Sequence, residues 1–197
     1  MGGTCPINEE DCVVTKPNIQ LACRHLEQGN VIAYPTEAVW GLGCDPGNEA
    51  AVYKILHLKK RPVHKGLILV GADIAQFESL LSELTAEQRN SLEASWPGHV
   101  TWLVPDPRQL IPSWIKGEHQ SVAIRVSAHP LVQELCVAFA GPIVSTSANE
   151  AGEEEIRSRL ILEEKFVGSI DYIVDGELGK AEKPSEMRDL LSGNVIR

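Results

Sequence analysis

The sequence contains no long hydrophobic run. No apolar stretch in its 197 residues approaches the roughly 20 residues that a helix needs to cross a bilayer. The N-terminal segment MGGTCPINEEDC also lacks the basic start and apolar core of a secretory signal. Residues 1–15 are polar and unpatterned, so we predict a flexible extension there and a single domain over residues 16–197. These features predict a protein without a membrane partner.

Cysteine and histidine occur without the spacings of a metal site. The five cysteines form no CxxC pair, and no Cys/His cluster has zinc spacing. We therefore predict no metal site, interpret Cys23 and Cys136 as small core residues, and treat the six histidines as surface or packing residues. An odd number of scattered cysteines is consistent with a cytoplasmic location, where thiols stay reduced.

Several sequence motifs for nucleotide binding and catalysis are missing. The chain has no GxxxxGK[ST] loop, so ATP would not be held by a P-loop. GLGCDPG follows an apolar segment, but Pro46 stands where a dinucleotide fingerprint needs its third glycine. No GxSxG motif marks a nucleophilic serine.

Charge is distributed unevenly along the chain. The net charge of −9 argues against a nucleic-acid scaffold that relies on overall charge. Residues 54–65 (KILHLKKRPVHK) nevertheless contain no acid, whereas residues 153–165 hold many. A solvated helix face explains such a basic run equally well. The competing hypothesis is a surface for tRNA or double-stranded RNA that uses Lys54, Lys60 and Lys65, although no aromatic residues interleave them for stacking.

Helix-period and strand-period segments alternate along the chain, which predicts an α/β fold. Several predicted strands follow one another without a helix between them, so we expect a mixed sheet. Helices are predicted at 17–28, 48–58 (capped by Asn48), 85–95 (with a Thr85/Gln88 capping box), 129–141 and 154–165. Strands are predicted at 31–35, 66–71, 99–105, 121–127, 142–145, and near 171–175 and 194–197.

In the strand SVAIRV (121–126), alternate side chains point to opposite faces of the sheet. Val122, Ile124 and Val126 would form the core face. Arg125, flanked by small residues on the other face, is either a surface charge or a group that faces a cavity. The apolar character of the strand favours the cavity.

The segment LKKRP follows a predicted helix. Pro62 disfavours helical backbone at Arg61, which predicts that the helix ends near Leu58–Lys60 and that the chain then extends. In extended chain Lys59 and Arg61 project to one side and Lys60 to the other. The alternative is that these cations only complement the helix dipole.

The segment PIVSTSAN runs from a strand into small polar residues. Ser145, Ser147 and Asn149 would project together, with Thr146 and Ala148 behind them. Short hydroxyl and amide groups suit a phosphate or a carboxylate. A local turn held by side-chain-to-backbone bonds is the alternative. Together with the arginine and the Lys/Arg pair, these residues predict a polyanion site.

Six sequence blocks, in order, resemble the YrdC/Sua5/TsaC family: YPTEAVWGLGCDP, LKKRPVHKGLILV, WPGHVTW, SVAIRVSAHPLV, PIVSTSAN and PSEMRDLLSGNVIR. The resemblance implies a single-domain α/β fold with an open, twisted mixed sheet and a large, concave, positively charged cavity. It also implies formation of threonylcarbamoyl-AMP from L-threonine, bicarbonate and ATP. Mg²⁺ would accompany ATP, no organic cofactor would be needed, and partner proteins would transfer the product to tRNA as t6A.

The same resemblance assigns site residues. The family's Lys-x-Arg and Ser-x-Asn signature, implied to be catalytic, falls on Lys59, Arg61, Ser147 and Asn149. The implied threonine-binding residues are Thr36, Arg125, Ser145 and Ser185. The implied ATP-binding residues are Lys59, Arg61, Ser121, Ser147 and Arg197.

The chain also departs from the family pattern. Val70-Gly71 replace a histidine that contacts threonine in many relatives, His99 replaces a proline, and an acidic run follows Asn149. Two other functions remain open: RNA binding without adenylation, and a carbamoyl-adenylate reaction like that of the related hydrogenase-maturation domain.

Overall fold

The structure, a computed structural model, describes residues 16–197. The extension predicted for residues 1–15 lies outside this range. The strands are β1 (Ile32–Pro35), β2 (Trp40–Gly43), β3 (Ile68–Gly71), β4 (Val100–Pro105), β5 (Ser121–Val126), β6 (Ile143–Ser147), β7 (Tyr172–Ile173) and β8 (Glu186–Asp189). The helices are α1 (Pro17–Glu27), α2 (Glu49–Leu58), α3 (Glu78–Leu81), α4 (Ala86–Glu93), α5 (Ser113–Lys116), α6 (Pro130–Ala138) and α7 (Arg159–Lys165). Among these residues, none of the helices combines the length and apolar character that a bilayer crossing requires.

The eight strands form one mixed sheet in the order β7-β1-β2-β6-β3-β5-β4-β8. β3 runs parallel to β5, β4 to β8 and β1 to β7, whereas the other neighbours are antiparallel. Hairpin-linked strands such as β1 and β2 supply antiparallel pairs, and parallel pairs use longer crossovers. The predicted α/β fold with an open mixed sheet is confirmed.

Helices cover both faces of the sheet. On one face, α2 contributes Val52 and Ile55 to a core that includes Val122 and Ile124 of β5. On the other face, α1 and α6 pack over a second core that includes Ile143 of β6. The predicted alternation of β5 is therefore confirmed, with its apolar side chains directed to the first of these cores. Cys23 and Cys136 are buried as predicted, and so is Cys44.

The helix boundaries follow local capping chemistry. The side chain of Asn48 accepts a hydrogen bond from Ala51 N at 3.0 Å and begins α2. Thr85 and Gln88 form both bonds of the predicted capping box at the start of α4. After α1 the chain reaches Gly29 with φ of 75°, a conformation that glycine adopts without steric cost.

The helix predicted over 154–165 is wrong in its first part, because α7 begins only at Arg159. Ile156 is buried, and its carbonyl accepts a hydrogen bond from Trp40 N at 2.8 Å. That bond ties residues around Ile156 to the end of the β1–β2 hairpin, so they do not form a helical turn. The strand predicted near 194–197 is reduced to one bridge between Val195 and Arg188 of β8.

A glycine in β2 allows close packing between the hairpin and β6. A Cβ atom on Gly43 would lie 2.7 Å from Cε1 of Tyr34 and 2.8 Å from the carbonyl oxygen of Val144. The Tyr34 ring is fully buried, and the carbonyl belongs to the neighbouring strand, so neither group can move freely. The approach of β2 to the strand that carries the Ser/Asn segment therefore depends on this glycine.

We expect Gly43→Ala to lower the free energy of unfolding by about 1–3 kcal/mol, because the methyl group overpacks a rigid contact. Gly141→Ala is the matched control, since a Cβ there meets no atom within 4 Å beyond its chain neighbours. The control is expected to change stability by about 0.5 kcal/mol or less. Urea unfolding measures both variants, and equal stability of the two would contradict this packing argument.

Candidate anion-binding site

A cavity of about 600 Å³ opens beside the central strands of the sheet. Ser145 and Ser147 line it and lie on the same side of β6 as Ile143, which belongs to the core under α1 and α6. Helices α1 and α6 therefore cover one end of this sheet face, and the cavity occupies the other. Its size falls within the roughly 300–1,000 Å³ of typical small-molecule sites.

The cavity concentrates positive charge in an acidic protein. Two carboxylates line it, those of Glu153 and Glu155. The cationic side chains that line it are Lys59, Arg61, Lys65, Lys116, Arg125 and Arg197. Cations in a concave, partly desolvated site focus the local potential and attract anions. The predicted positively charged cavity is therefore present despite the net charge of −9.

All ten residues that the sequence assigned to threonine, ATP or catalysis line this one cavity. They are Thr36, Lys59, Arg61, Ser121, Arg125, Ser145, Ser147, Asn149, Ser185 and Arg197. Ala148 packs into the core as predicted, but Thr146 also borders the cavity, so the alternation in this segment is not strict.

The turn after α2 aims Lys59 and Arg61 into the cavity. Arg61 N donates to the carbonyl of Leu56 at 2.9 Å, and Lys60 adopts φ of 48°, as in a Schellman motif. The predicted end of the helix near Leu58–Lys60 is confirmed. The extended backbone on which the common side of Lys59 and Arg61 was conditional is absent at Lys60, yet both side chains line the cavity. Lys60 points away, and its ammonium lies 2.6 Å from a carboxylate oxygen of Glu150.

The ammonium of Lys59 is buried and fully hydrogen-bonded. It donates to the carbonyl of Ser147, to the carbonyl of Asn149 at 2.7 Å and to Oδ1 of Asn149 at 3.3 Å. Burial, followed by the nearby charge of Arg61, lowers the pKa of Lys59 to about 8. The three donors of the ammonium are thus used to fasten the Ser/Asn turn, and its charge acts on the cavity over a short distance.

The Ser/Asn segment is also a hydrogen-bonded turn in its own right. Ser147 Oγ donates to Asn149 Oδ1 at 2.5 Å, and Asn149 Nδ2 donates to the carbonyls of Glu150 (3.1 Å) and Glu153 (2.7 Å). The local-turn and anion-site interpretations therefore describe the same residues. The Asn149 side chain shapes the turn, while the serine hydroxyls border the cavity.

Arg61 is anchored on one edge and available on the other. Its Nε and Nη2 donate to the carbonyl of Gly66 at 3.0 and 2.9 Å, and Nη2 also reaches the carbonyl of Lys65 at 3.2 Å. Within residues 16–197, Nη1 has no acceptor. Burial and then the charge of Arg197 lower the pKa of the guanidinium. An anion placed between these two arginines would relieve their repulsion.

Arg125 also lines the cavity, and it contacts two residues that the sequence analysis does not select, Glu37 behind it and His99 beside it. Its Nη1 lies 2.9 Å from a carboxylate oxygen of Glu37 and 3.5 Å from Nδ1 of His99. The sequence interpretation of His99 as a surface or packing residue is incomplete, because His99 lines the cavity. The available signal for Glu37 was its position next to Thr36 in the YPTEAVW block. Thr36 Oγ1 itself donates to the carbonyl of Val39 at 2.7 Å.

The C-terminal segment, residues 184–197, also contributes to the cavity wall. Ser185 Oγ and Thr101 Oγ1 are 2.8 Å apart, which joins Ser185 to β4. Arg197 Nη2 donates to the carbonyl of Ser185 at 3.4 Å. Met187 N in turn donates to the carbonyl of Arg197 at 2.9 Å, so the last residues fold back along β8.

Several charged residues near the cavity form ion pairs with residues that do not line it. Lys54 lies 2.6 Å from Asp171, and Glu153 of the acidic run pairs with Lys165. Lys65 is exposed and lies at the border of the cavity. Within residues 16–197, no group of three or more His, Cys, Asp or Glu side chains is arranged to hold a metal ion.

Comparison with known proteins gives consistent matches over this chain. The Sua5/YciO/YrdC family model, described as telomere recombination, matches residues 24–197. A threonylcarbamoyl-AMP synthase of Pseudomonas entomophila is 50% identical over 94% of this chain and 99% of its own length. That of Pseudomonas aeruginosa strain UCBPP-PA14 is 54% identical over 90% of this chain and 95% of its own.

A solved structure shares both the fold and part of the sequence. P. abyssi Sua5 in complex with L-threonine superimposes with a TM-score of 0.81 and is 33% identical, covering 88% of this chain. This chain spans about half of that protein, 51% of its length. E. coli YciO, at 24% identity and a TM-score of 0.76, shows the same fold.

The lowered pKa of Lys59 can be measured directly. In protein with ¹³C-labelled lysine, we expect one Cε resonance, absent in Lys59→Arg, to titrate near pH 8 rather than near the ordinary value of about 10.4. Added tripolyphosphate should raise this midpoint, because a nearby anion stabilises the ammonium. A Lys59 midpoint above pH 10 without anion would contradict the burial argument.

Proposed function

The chain belongs to the Sua5/YciO/YrdC family, and on this basis we propose that it is a threonylcarbamoyl-AMP synthase. It uses ATP and L-threonine to make threonylcarbamoyl-AMP and pyrophosphate, with bicarbonate or CO2 as the carbon source. One observation carries this assignment: the Lys59/Arg61 turn, the Ser145–Asn149 segment and Arg125 meet in a single cationic cavity. The identity of about 50% to a threonylcarbamoyl-AMP synthase, over nearly the whole chain, supports the assignment.

The proposed reaction needs no protein nucleophile. The amine of threonine adds to CO2, loses a proton and becomes a carbamate. A carbamate oxygen then attacks the α-phosphorus of ATP, the bond from that phosphorus to the α,β-bridging oxygen breaks, and pyrophosphate leaves. The threonine carbamate and ATP are both anions, so the protein must hold like charges together and stabilise the charge that develops on the phosphates.

The residues of the Lys59 turn suit the phosphate tail. Arg61 offers Nη1 and its charge, and Arg197 lies near enough to lower the pKa of Arg61. Ser121 adds a hydroxyl group, and Ser147 would add one by turning its hydroxyl from Asn149 Oδ1 to a phosphate oxygen. A guanidinium forms directed, charge-assisted hydrogen bonds to phosphate oxygens. The ammonium of Lys59 adds positive charge at the cavity wall. Its hydrogen bonds to the carbonyls of Ser147 and Asn149 keep the Ser147 segment in place.

The cavity wall around Arg125 suits the amino acid. Arg125 is 6% exposed, and within residues 16–197 its Nε and Nη2 have no hydrogen-bond acceptor. These donors would bind the threonine carboxylate, with Thr36, Ser145 and Ser185 lining the same subsite. This arrangement holds the threonine amine between Arg125 and the phosphates, where the carbamate must form.

Mg²⁺ would enter with ATP as part of the substrate and supply further neutralisation of phosphate charge. No organic cofactor is required by this chemistry. We further propose a cytoplasmic location, which the free, buried Cys23, Cys44 and Cys136 support. The product is a labile mixed anhydride, so transferase partners that make t6A in tRNA would have to take it up.

RNA binding as the sole function is not favoured. Of the three lysines assigned to that hypothesis, Lys54 and Lys60 are neutralised by Asp171 and Glu150, and Lys65 lies at the border of the cavity. Surface phosphate binding depends on unpaired cations, which this pairing reduces.

Pyrophosphate release from ATP and bicarbonate, measured with each of the twenty amino acids in turn, tests the proposed function. We expect stimulation by L-threonine and little by the others, since the site must orient a hydroxyl as well as a carboxylate. Stimulation by an unrelated amino acid, or release that does not depend on any amino acid, would overturn the assignment.

Arg61→Ala is expected to reduce pyrophosphate release roughly 30- to 1,000-fold, equivalent to about 2–4 kcal/mol of transition-state stabilisation. Lys59→Ala should fall in the same range, because it removes a charge and frees the Ser147 segment. Lys60→Ala is the matched control: it removes the adjacent cation, which pairs with Glu150 away from the cavity. Full activity in Arg61→Ala would remove this residue from the mechanism.

A further inference from the structure

The ion pair between Arg125 and Glu37 is the unusual feature of the amino-acid subsite. Arg125 is buried at the cavity wall, and Glu37 lies beside it, with 2.9 Å between Nη1 and Oε2. A carboxylate here cancels part of the charge that would attract an anionic substrate. Replacing a buried ion pair by apolar groups is often neutral or stabilising, so stability alone does not explain the pair.

Glu37 is held in a single orientation by its surroundings. Its Oε1 accepts hydrogen bonds from Ser127 Oγ at 2.6 Å and from Ala128 N at 3.2 Å. Its backbone carbonyl accepts a bond from Ala181 N at 2.9 Å. Gly179 packs so closely that an added Cβ would lie 2.6 Å from the Glu37 carbonyl oxygen. The carboxylate cannot rotate without losing both bonds to Oε1.

Glu37 cannot reach a substrate directly. Its Oε2 atom is shielded from solvent and meets Arg125 as an ion pair without a directed hydrogen bond, and Glu37 is not among the residues that line the cavity. Burial alone would raise the pKa of its carboxyl group, but the charge of Arg125 and the Ser127 hydroxyl outweigh burial and lower it. The group facing Arg125 is therefore a fixed carboxylate, and it acts on the cavity only through Arg125.

His99 constrains Arg125 from a second direction. Its Nε2 lies 2.6 Å from the carbonyl of Lys183, which requires the proton on Nε2. Nδ1 is then the acceptor that faces Arg125 Nη1 at 3.5 Å. Glu37 and His99 thus both engage Nη1, which leaves Nε and Nη2 for the cavity.

We propose that Glu37 is a positioning residue that sets the orientation of the Arg125 guanidinium and thereby the affinity and selectivity for the carboxylate of the amino-acid substrate. This inference rests on the proposed function, because it takes threonine as the ligand of Arg125. Contacts that draw Nη1 to one side leave the Nε–Nη2 edge of the planar guanidinium turned to the cavity, where a carboxylate can accept two parallel hydrogen bonds. Residues that orient metal ligands change affinity or activity by about 10- to 100-fold when removed, and we expect a loss of similar size for a residue that orients Arg125.

Glu37→Gln tests the proposal, because it keeps the size of the side chain and removes its charge. Isothermal titration calorimetry should show L-threonine binding at least about tenfold more weakly, with ATP binding changed less than about twofold. L-threoninamide lacks the carboxylate, so its weaker binding should be unchanged and the preference for threonine should fall. In kinetics, KM for threonine should rise while KM for ATP stays constant.

Two further variants keep the test decisive. Ser127→Ala removes one bond to Oε1 and should give an intermediate loss of threonine affinity, which decides the matter if Glu37→Gln does not fold. Glu78→Gln neutralises a carboxylate in an exposed pair with Arg89 and should leave threonine binding unchanged.

The outcomes separate this inference from the proposed function. If the wild-type protein binds threonine but Glu37→Gln binds it equally well, only the positioning role is overturned. If Glu37→Gln weakens threonine, threoninamide and ATP alike, the residue is merely structural and the inference is again overturned. If the wild-type protein binds no threonine, the proposed function falls first and the inference falls with it.

Discussion

The hydrogen bonds of one buried ammonium group, that of Lys59, hold the candidate site together. Lys59 leaves the end of α2 and donates to the carbonyls of Ser147 and Asn149, while Ala151 N donates back to the carbonyl of Lys59 at 2.8 Å. These bonds join two segments that are almost ninety residues apart in sequence. A residue without donors at this position would leave the buried carbonyl of Asn149 unpaired, which costs about 1–3 kcal/mol, whereas the carbonyl of Ser147 would keep only its bond from Asn149 N at 3.0 Å. The serine hydroxyls at the cavity therefore depend on a cation that is itself turned toward the backbone.

Charge pairing elsewhere in the protein leaves the cavity positive. Exposed cations such as Lys54, Lys60 and Arg89 have carboxylate partners, whereas Lys59 and Arg61 form no ion pair within residues 16–197. Burial lowers the pKa values of both groups, and a neighbouring cation lowers each further, Arg61 for Lys59 and Arg197 for Arg61. The unliganded site thus carries an unfavourable electrostatic energy that a polyanion relieves, and its attraction for phosphate follows from this imbalance rather than from the net charge of the chain.

Much of the site could be predicted from the sequence, because local periodicity decides which side chains share a face. The alternation in β5 placed Arg125 correctly, and Pro62 correctly marked the end of α2. Interactions between distant segments were not predictable in this way. The left-handed backbone at Lys60, the bond from Trp40 N to Ile156 that excludes a helix there, and the pairing of Glu37 with Arg125 all arise from tertiary contacts. The residues that line the cavity could therefore be predicted from the alternation pattern and the family resemblance. Their backbone conformations and hydrogen-bond partners required the structure.

The most direct test of this account is the structure of the protein bound to L-threonine and a non-hydrolysable ATP analogue. The account predicts the phosphates within hydrogen-bonding distance of Arg61 Nη1 and Ser147, the threonine carboxylate on Nε and Nη2 of Arg125, and Lys59 still bonded to the carbonyls of Ser147 and Asn149. Nucleotide bound outside this cavity, or bound in it with Arg61 turned away, would contradict the central claim.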